Sequence, residues 1–412
     1  MRRSHVPGLL PEAAGIEPQG VNPKGGWWRQ PAVPLLGTNV LQGLGIQFFL
    51  PILPLYLHHR GLSNSLIGLT VAAGIAGFGG AQLPSGLLAD RFNRRTIVIL
   101  GTAIYGAFYF LYLLPLPPVW FPVIRFFHAA SGGAYTPAAL ALLADLTPVD
   151  GRARIYGLWQ SSYQSGLLVG PLIGGLVAAL DLQVIFITSA VLCLLSAIPL
   201  FRLPSVKSVR GILTAQSNPH TSRGAILRRL LSTIGMASAG DYLTGAVTAV
   251  WTLLLISRGA STVVVGVAFT LFALPAVLLS APAASYAARR GGKLLVSAAL
   301  LACALTAVLS GLGPPLPVLL GLGFLLGLFS MPARPIAFYL GSRAIGSEQQ
   351  GAAQSILQTG LFSVQVSAAI ISGVLLGFGT SYVFLAVAAA CVFSLVVLLR
   401  SPTIFAAEAI RS

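Results

Sequence analysis

Of 412 residues, 56% are apolar and 8% charged, with a mean hydropathy of +0.86; soluble domains carry roughly a quarter charged residues, so a water-exposed globular surface is excluded. The apolar residues fall in blocks of the roughly 20 residues that a helix needs to cross a ~30 Å hydrocarbon core, too long for the roughly ten-residue alternating strands of a membrane barrel. A formal net charge of +16 would suit nucleic acid or a membrane surface, and its placement along the chain decides between them.

Residues 1–32, with Pro7, Gly8, Pro11, Pro18, Gly25 and Gly26, contain no apolar core of a signal peptide and are expected to form a disordered cytosolic tail. Trp27 and Trp28 at its end suit the headgroup level. Twelve spans follow, at 33–57, 66–88, 96–114, 120–144, 155–180, 184–201, 230–256, 263–286, 294–312, 315–341, 352–376 and 382–399. In lipid the backbone must satisfy its own hydrogen bonds, which leaves α-helices for all of them. With both termini cytoplasmic, 21 of the 25 Lys and Arg residues fall on that side. Arg60 and Arg258 lie outside, and Arg125 and Arg334 lie within spans. This positive-inside bias orients a multi-pass protein in the cell membrane, and no aromatic–basic stacking module supports nucleic acid as a partner. Cys193, Cys303 and Cys391 sit within apolar spans and read as packing residues. No metal site is expected.

An internal repeat organises the spans. Arg60-Gly61-Leu62-Ser63 matches Arg258-Gly259-Ala260-Ser261, and the same offset of 198 residues carries Gly68 onto Gly266, Pro84 onto Pro282, Arg91 onto Arg289, Arg95 onto Lys293, Asp150 onto Glu348 and Cys193 onto Cys391. The polar stretch 202–229 separates the copies. The expected domains are thus a six-helix bundle over 33–201, a cytosolic linker over 202–229, a second six-helix bundle over 230–400 and a cytosolic tail over 401–412.

Four segments carry motifs. Span one has Gly45 followed by Pro51-Ile52-Leu53-Pro54. Between spans two and three stands Gly86-Leu87-Leu88-Ala89-Asp90-Arg91-Phe92-Asn93-Arg94-Arg95. Span four has Arg125-Phe126-Phe127-His128 and then Ser131, Gly132 and Gly133. Span five has Gly157, Gly166, Gly170-Pro171 and Gly174-Gly175. The four-residue recurrence of Gly166, Gly170 and Gly174 makes a flat stripe against which another backbone can pack, and Pro171 adds a bend.

Together these segments resemble the major facilitator superfamily, and spans one and five resemble its drug/proton antiporter branch. The loop departs at Asn93, usually Gly, where Asn is expected to keep a left-handed turn; span four departs at His128 and Ala129. The resemblance implies two pseudo-symmetric six-helix bundles that rock about a site near the bilayer midplane. It also implies a gate in which Gly86, Asp90, Arg91, Arg94 and Arg95 work against span eleven near Gly351 and Ala352. Spans one, four, seven and ten would line the cavity, with Asn39, Gln42, Gln47, Tyr135 and Trp251 as candidate solute contacts.

Ionisable groups inside hydrocarbon are functional candidates by default. Asp241, the only acid inside any span, lies about 16 Å into span seven at 1.5 Å per residue. Arg125 and His128 in span four and Arg334 in span ten complete the set. Asp241 either carries a proton through the cycle or forms a static ion pair with Arg125 or Arg334. The chain is therefore expected to be a secondary active, proton-coupled antiporter exporting small amphipathic or drug-like solutes. It would run on the proton gradient without a cofactor, with lipid, solute and protons as its partners, and is expected to be monomeric. Import of a metabolite or organic anion is the alternative, and a non-transporting receptor or scaffold a more distant one. The loops hold no catalytic cluster and no phosphate-binding loop, so neither an enzyme nor an ATP-driven pump is expected.

Overall fold

The computed structural model describes residues 33–91, 93–147, 152–203, 223–290, 292–330, 333–343 and 350–401. The tails at 1–32 and 402–412 and most of the 202–229 linker lie outside the described residues. Among the described residues, fourteen α-helices account for the twelve expected spans: α1 (Val33–Phe49) and α2 (Leu53–His59) form the first, α3 (Asn64–Arg91), α4 (Arg94–Leu111), α5 (Trp120–Asp145), α6 (Arg152–Ala178) and α7 (Val184–Ala197) the next five. In the second half α8 (Arg223–Ser257), α9 (Thr262–Arg290) and α10 (Lys293–Gly311) are followed by α11 (Leu316–Ser330) and α12 (Ala333–Arg343), which share the tenth span, and by α13 (Gln350–Leu376) and α14 (Thr380–Arg400).

Among the described residues, eight helical stretches are long and apolar enough to cross a membrane, and nine if the α1–α2 pair counts as one. The other three, α4, α5 and α6, carry the Arg94-Arg95 pair, Arg125 with His128, and a Ser/Gln-rich first half, respectively. Pro51 and Pro54 break the first span, which bends by 42° between α1 and α2, because a proline lacks the N–H that would continue the ladder. The Thr252 hydroxyl of α8 donates to the Pro51 carbonyl at that break.

Helix pairing repeats between halves. In the first, α1 packs on α6, α3 on α5 and α4 on α7; in the second, α8 packs on α13, α9 on α11 and α10 on α14. The 198-residue offset relates each pair to its counterpart. It also governs the turns: Gly61 and Gly259 have φ of +80° and +81°. Leu62 N–H donates to Leu57 O and Ala260 N–H to Leu255 O, the bonds of a helix-ending glycine turn. Just before each glycine, Arg60 donates to the Leu114 carbonyl and Arg258 to the Gly313 carbonyl. Alanine at Gly61 or Gly259 is expected to cost about 1–2 kcal/mol each, since a Cβ is strained in that conformation; thermal unfolding in detergent micelles would show two small, additive losses.

The halves meet along α3–α13 and α6–α9. Gly68 faces Ala369 and Gly373, and Gly175 and Pro171 face Thr262 and Gly266, so closely that a Cβ at Gly68 would lie 2.5 Å from the Ala369 carbonyl oxygen. These contacts cluster at the end of the bundle that carries the Arg60 and Arg258 turns.

Candidate functional site at the seam between the halves

Near the middle of the 35-residue α8 lies Asp241, its side chain 1% exposed. Its Oδ1 accepts from Arg334 Nη1 of α12 at 2.7 Å and from the Gln365 amide of α13. Oδ2 has no hydrogen-bond partner among the described residues. Arg334 is 37% exposed, and its guanidinium carbon lies 5.9 Å from the Phe338 ring centroid and 5.8 Å from that of Phe362. Phe362 in turn meets Phe78 of α3 edge-on at 6.1 Å and packs over Gly79. Three helices of one half thus hold a buried carboxylate, its cation and two aromatic rings, and one ring touches the other half. A carboxylate without full solvation needs such partners, because an unpaired buried charge is costly.

Of the two arginines left open by the sequence, Arg334 is the partner of Asp241. Arg125 of α5, 5% exposed, sits elsewhere: its guanidinium carbon is 5.3 Å from the Phe49 ring centroid, and it packs against Gly74, where a Cβ would lie 2.6 Å from Nε. Its Nε and Nη1 find no hydrogen-bond partner among the described residues. One turn on, fully buried His128 is enclosed by Tyr105 and Tyr109, each with ring centroids 4.4 Å away, and by Phe108, Tyr112 and Phe49. His128 Nδ1 lies 3.3 Å from the Tyr112 hydroxyl. The replacement at His128 noted in the sequence is therefore accommodated by an aromatic cage rather than by a polar cavity wall.

The Gly-Pro stripe of α6 faces two neighbours. Gly166, Gly170 and Gly174 lie against Gly43, Gln47 and Phe48 of α1, and a Cβ at Gly174 would come within 2.5 Å of the Phe48 carbonyl oxygen. Gly175 and Pro171 turn to α9 and the other half. Gly157 lies within the first turns of α6, and its surroundings are outside the described residues. The stripe thus ties α6 to its own half on one face and to the opposite half on the other.

In the loop after span two, Asn93 has φ −65° and ψ 115° and caps α4, accepting from Arg95 N–H at 3.0 Å. The expected left-handed turn is not formed there; the capping role explains the asparagine instead. Arg94 pairs with Asp145 at the end of α5 at 2.7 Å, and Arg95 donates to the Phe201 carbonyl. Gly86, Asp90 and Arg91 lie in the last turns of α3, but their side-chain environment, and that of Gly351 and Ala352, is outside the described residues.

The five candidate solute contacts are all buried in this conformation. Asn39 donates to the Trp159 carbonyl and Ser162 hydroxyl, and Gln42 to the Thr102 hydroxyl. Gln47 backs the glycine stripe, Tyr135 stacks on Trp159, and Trp251 packs on Gly323 and edge-on to Phe384. They stand in helix contacts, not at an open surface. Sequence reasoning missed Gln365, Phe362 and Phe338. The available signal for the first two was an amide in an apolar span with a phenylalanine three residues before it, hence on the same helix face.

Two repeated six-helix halves meeting at a seam with a buried carboxylate–guanidinium pair define the class: a polytopic, all-helical membrane transporter. The chain belongs to the Major Facilitator Superfamily, whose model matches residues 35–255 and 230–409. Among curated relatives, it is 30% identical over 161 residues to the quinolone resistance protein NorA of Staphylococcus aureus, covering 38% of this chain and 40% of that one. It is 28% identical over 141 residues to an uncharacterized MFS-type transporter of Methanocaldococcus jannaschii, covering 34% and 36%. The matched stretch thus spans less than half the length of these relatives. Among solved structures, a bacterial homologue of the human lysosomal transporter Spinster, inward-facing and occupied, superposes with a TM-score of 0.75 at 13% identity over 92% of this chain and 97% of that one. A peptide transporter, POT, in complex with sulfate gives 0.72 at 15% identity over 92% and 96%. At such identities the likeness is one of fold.

Proposed function

We propose that this transporter is a proton-coupled antiporter that exports small amphipathic or drug-like solutes by alternating access of its two halves. In this reading it sits as a monomer in the cell membrane with both termini cytoplasmic, so the contacts around Gly68 and Gly175 close the outer side. The observation that carries the reading is Asp241: a lone acid at mid-span, held by groups from two other helices, with one oxygen uncommitted. Protonation of Asp241 would release Arg334 and Gln365 and so bias one arrangement of the seam over another, which is what coupling requires. The relative named for quinolone resistance supports an exporter.

Proteoliposomes with a trapped pH-sensitive dye test the reading. A panel of amphipathic solutes is expected to drive proton movement, and Asp241→Asn is expected to reduce that movement to the liposome background while solute exchange without a gradient continues. Absence of solute-dependent proton flux in either orientation would overturn it. The unpartnered Nε and Nη1 of Arg125 favour a second reading, uptake of an organic anion; proton movement driven by anions and not by cations would select it.

A further inference from the structure

The guanidinium of Arg334 is bound as a ligand would be. It has a buried counter-ion in Asp241, a planar aromatic face in Phe338 and another in Phe362. It is also the more accessible partner of the pair, 37% exposed against 1%. Aromatic faces attract cations through their quadrupole, and do so more strongly when the site is desolvated. An arginine needed only to neutralise Asp241 has no requirement for two rings, one of which touches the opposite half. The Gln365 amide holds Oδ1 from the other side, so the carboxylate keeps its position if Arg334 leaves, while Oδ2 has no partner and is available to a second donor.

We propose that Arg334 is a resident competitor occupying the transporter's own cation site, and that planar organic monocations bind by displacing its guanidinium from Asp241, Phe338 and Phe362. The inference rests on the reading that solutes bind at this seam, and it names their chemistry: a delocalised, flat cation with donors that reach a carboxylate edge. The site then sets selectivity by competition. A cation must outbid a tethered guanidinium, whereas a neutral solute of the same shape lacks the charge attraction to Asp241 and keeps at most an ordinary hydrogen bond. Because Phe362 leans on Phe78 and Gly79 of the opposite half, exchange of the cation alters the seam directly.

The test is equilibrium binding in detergent, without a gradient, so that failure of proton coupling and failure of this proposal are separate results. Benzamidinium and its neutral isostere benzamide are the probes. Arg334→Gln is expected to bind benzamidinium at least tenfold more tightly than the unaltered protein, read by titration calorimetry and as a larger ligand-induced rise in Tm. Benzamide binding should be unchanged, and the gain should vanish in the double variant Arg334→Gln with Asp241→Asn. Weaker or equal benzamidinium binding by Arg334→Gln overturns the proposal. Should that variant not fold, the unaltered protein supplies the answer through phenylglyoxal labelling of Arg334, followed by peptide mass spectrometry. Benzamidinium is expected to accelerate labelling several-fold by moving the guanidinium into water; protection or no change overturns the proposal.

Discussion

Gly166→Val is expected to prevent the first half from assembling, with little protein recovered as a monodisperse species and no transport from what remains. The reason is the partner at the crossing. A Cβ at Gly166 would overlap the backbone of Gly43 and Leu44, and neither can move aside as a flexible side chain would. Overpacking that forces backbones apart costs typically about 1–3 kcal/mol and more where no rotamer relieves it. Here the shift would propagate to the Gly170–Gln47 and Gly174–Phe48 contacts on the same stripe. Gly37→Ala and Gly80→Ala are the controls. Both sit within helices with nothing within 4 Å of a built Cβ, and alanine there should be neutral or mildly stabilising, by up to about 1 kcal/mol from helix propensity. Size-exclusion profiles and thermal unfolding in micelles would separate the two classes. A monodisperse Gly166→Val with an unchanged Tm would mean that the α1–α6 crossing tolerates separation.

The second large effect concerns the ion pair. Arg334→Gln removes the cation from a carboxylate that is 1% exposed, and breaking a buried pair from one side costs typically about 3–5 kcal/mol. The Arg334 side chain is 37% exposed, so the lower end of that range is expected. Asp241→Asn leaves the partly exposed arginine to solvate itself and should cost less. The double variant, with no charge to bury, should recover most of the loss, giving a non-additivity on the order of 1–3 kcal/mol in a double-mutant cycle. Additive losses would mean that the two side chains do not depend on one another.

What could be read in advance follows from what the solvent dictates. Lipid demands long apolar helices, so the twelve spans and the domain halves were visible as blocks, and the 198-residue register was visible because helix ends need particular residues. The Arg60–Gly61 and Arg258–Gly259 turns use glycine for its positive φ, a local requirement that leaves a mark in the chain. Which helix lies beside which leaves no such mark. Asp241 was recognisable as a buried acid, but the choice between Arg125 and Arg334 depends on the angular placement of α5 and α12 around α8. The ring partner Phe338 looks, in sequence, like any other lipid-facing phenylalanine, and Phe362 is marked only by its spacing from Gln365. Asn39 and Gln42 show the converse. Amides in an apolar span invite a solute-binding role, yet a neighbouring helix that offers a carbonyl or hydroxyl satisfies them equally well. Asn93 belongs to a third kind, in which the residue type was informative but its use was different: the same side chain that tolerates a left-handed turn also caps a helix.

The contacts where the halves meet have a mechanical consequence. At Gly68 against Gly373, and at Gly175 against Gly266, backbone lies directly on backbone; the side chains that cross between the halves, such as Phe362 on Phe78 and the Thr270 hydroxyl on the Leu168 carbonyl, sit further along the same helices. Such contacts act as smooth bearings: at these points the halves can part by a short rigid displacement without a side chain of the glycines themselves to disengage. A single methyl group placed there works as a doorstop. Gly68→Ala, 2.5 Å from the Ala369 carbonyl oxygen, would wedge this end ajar and leave both bundles intact, turning a residue with no chemistry of its own into a control on which face of the membrane the protein opens to.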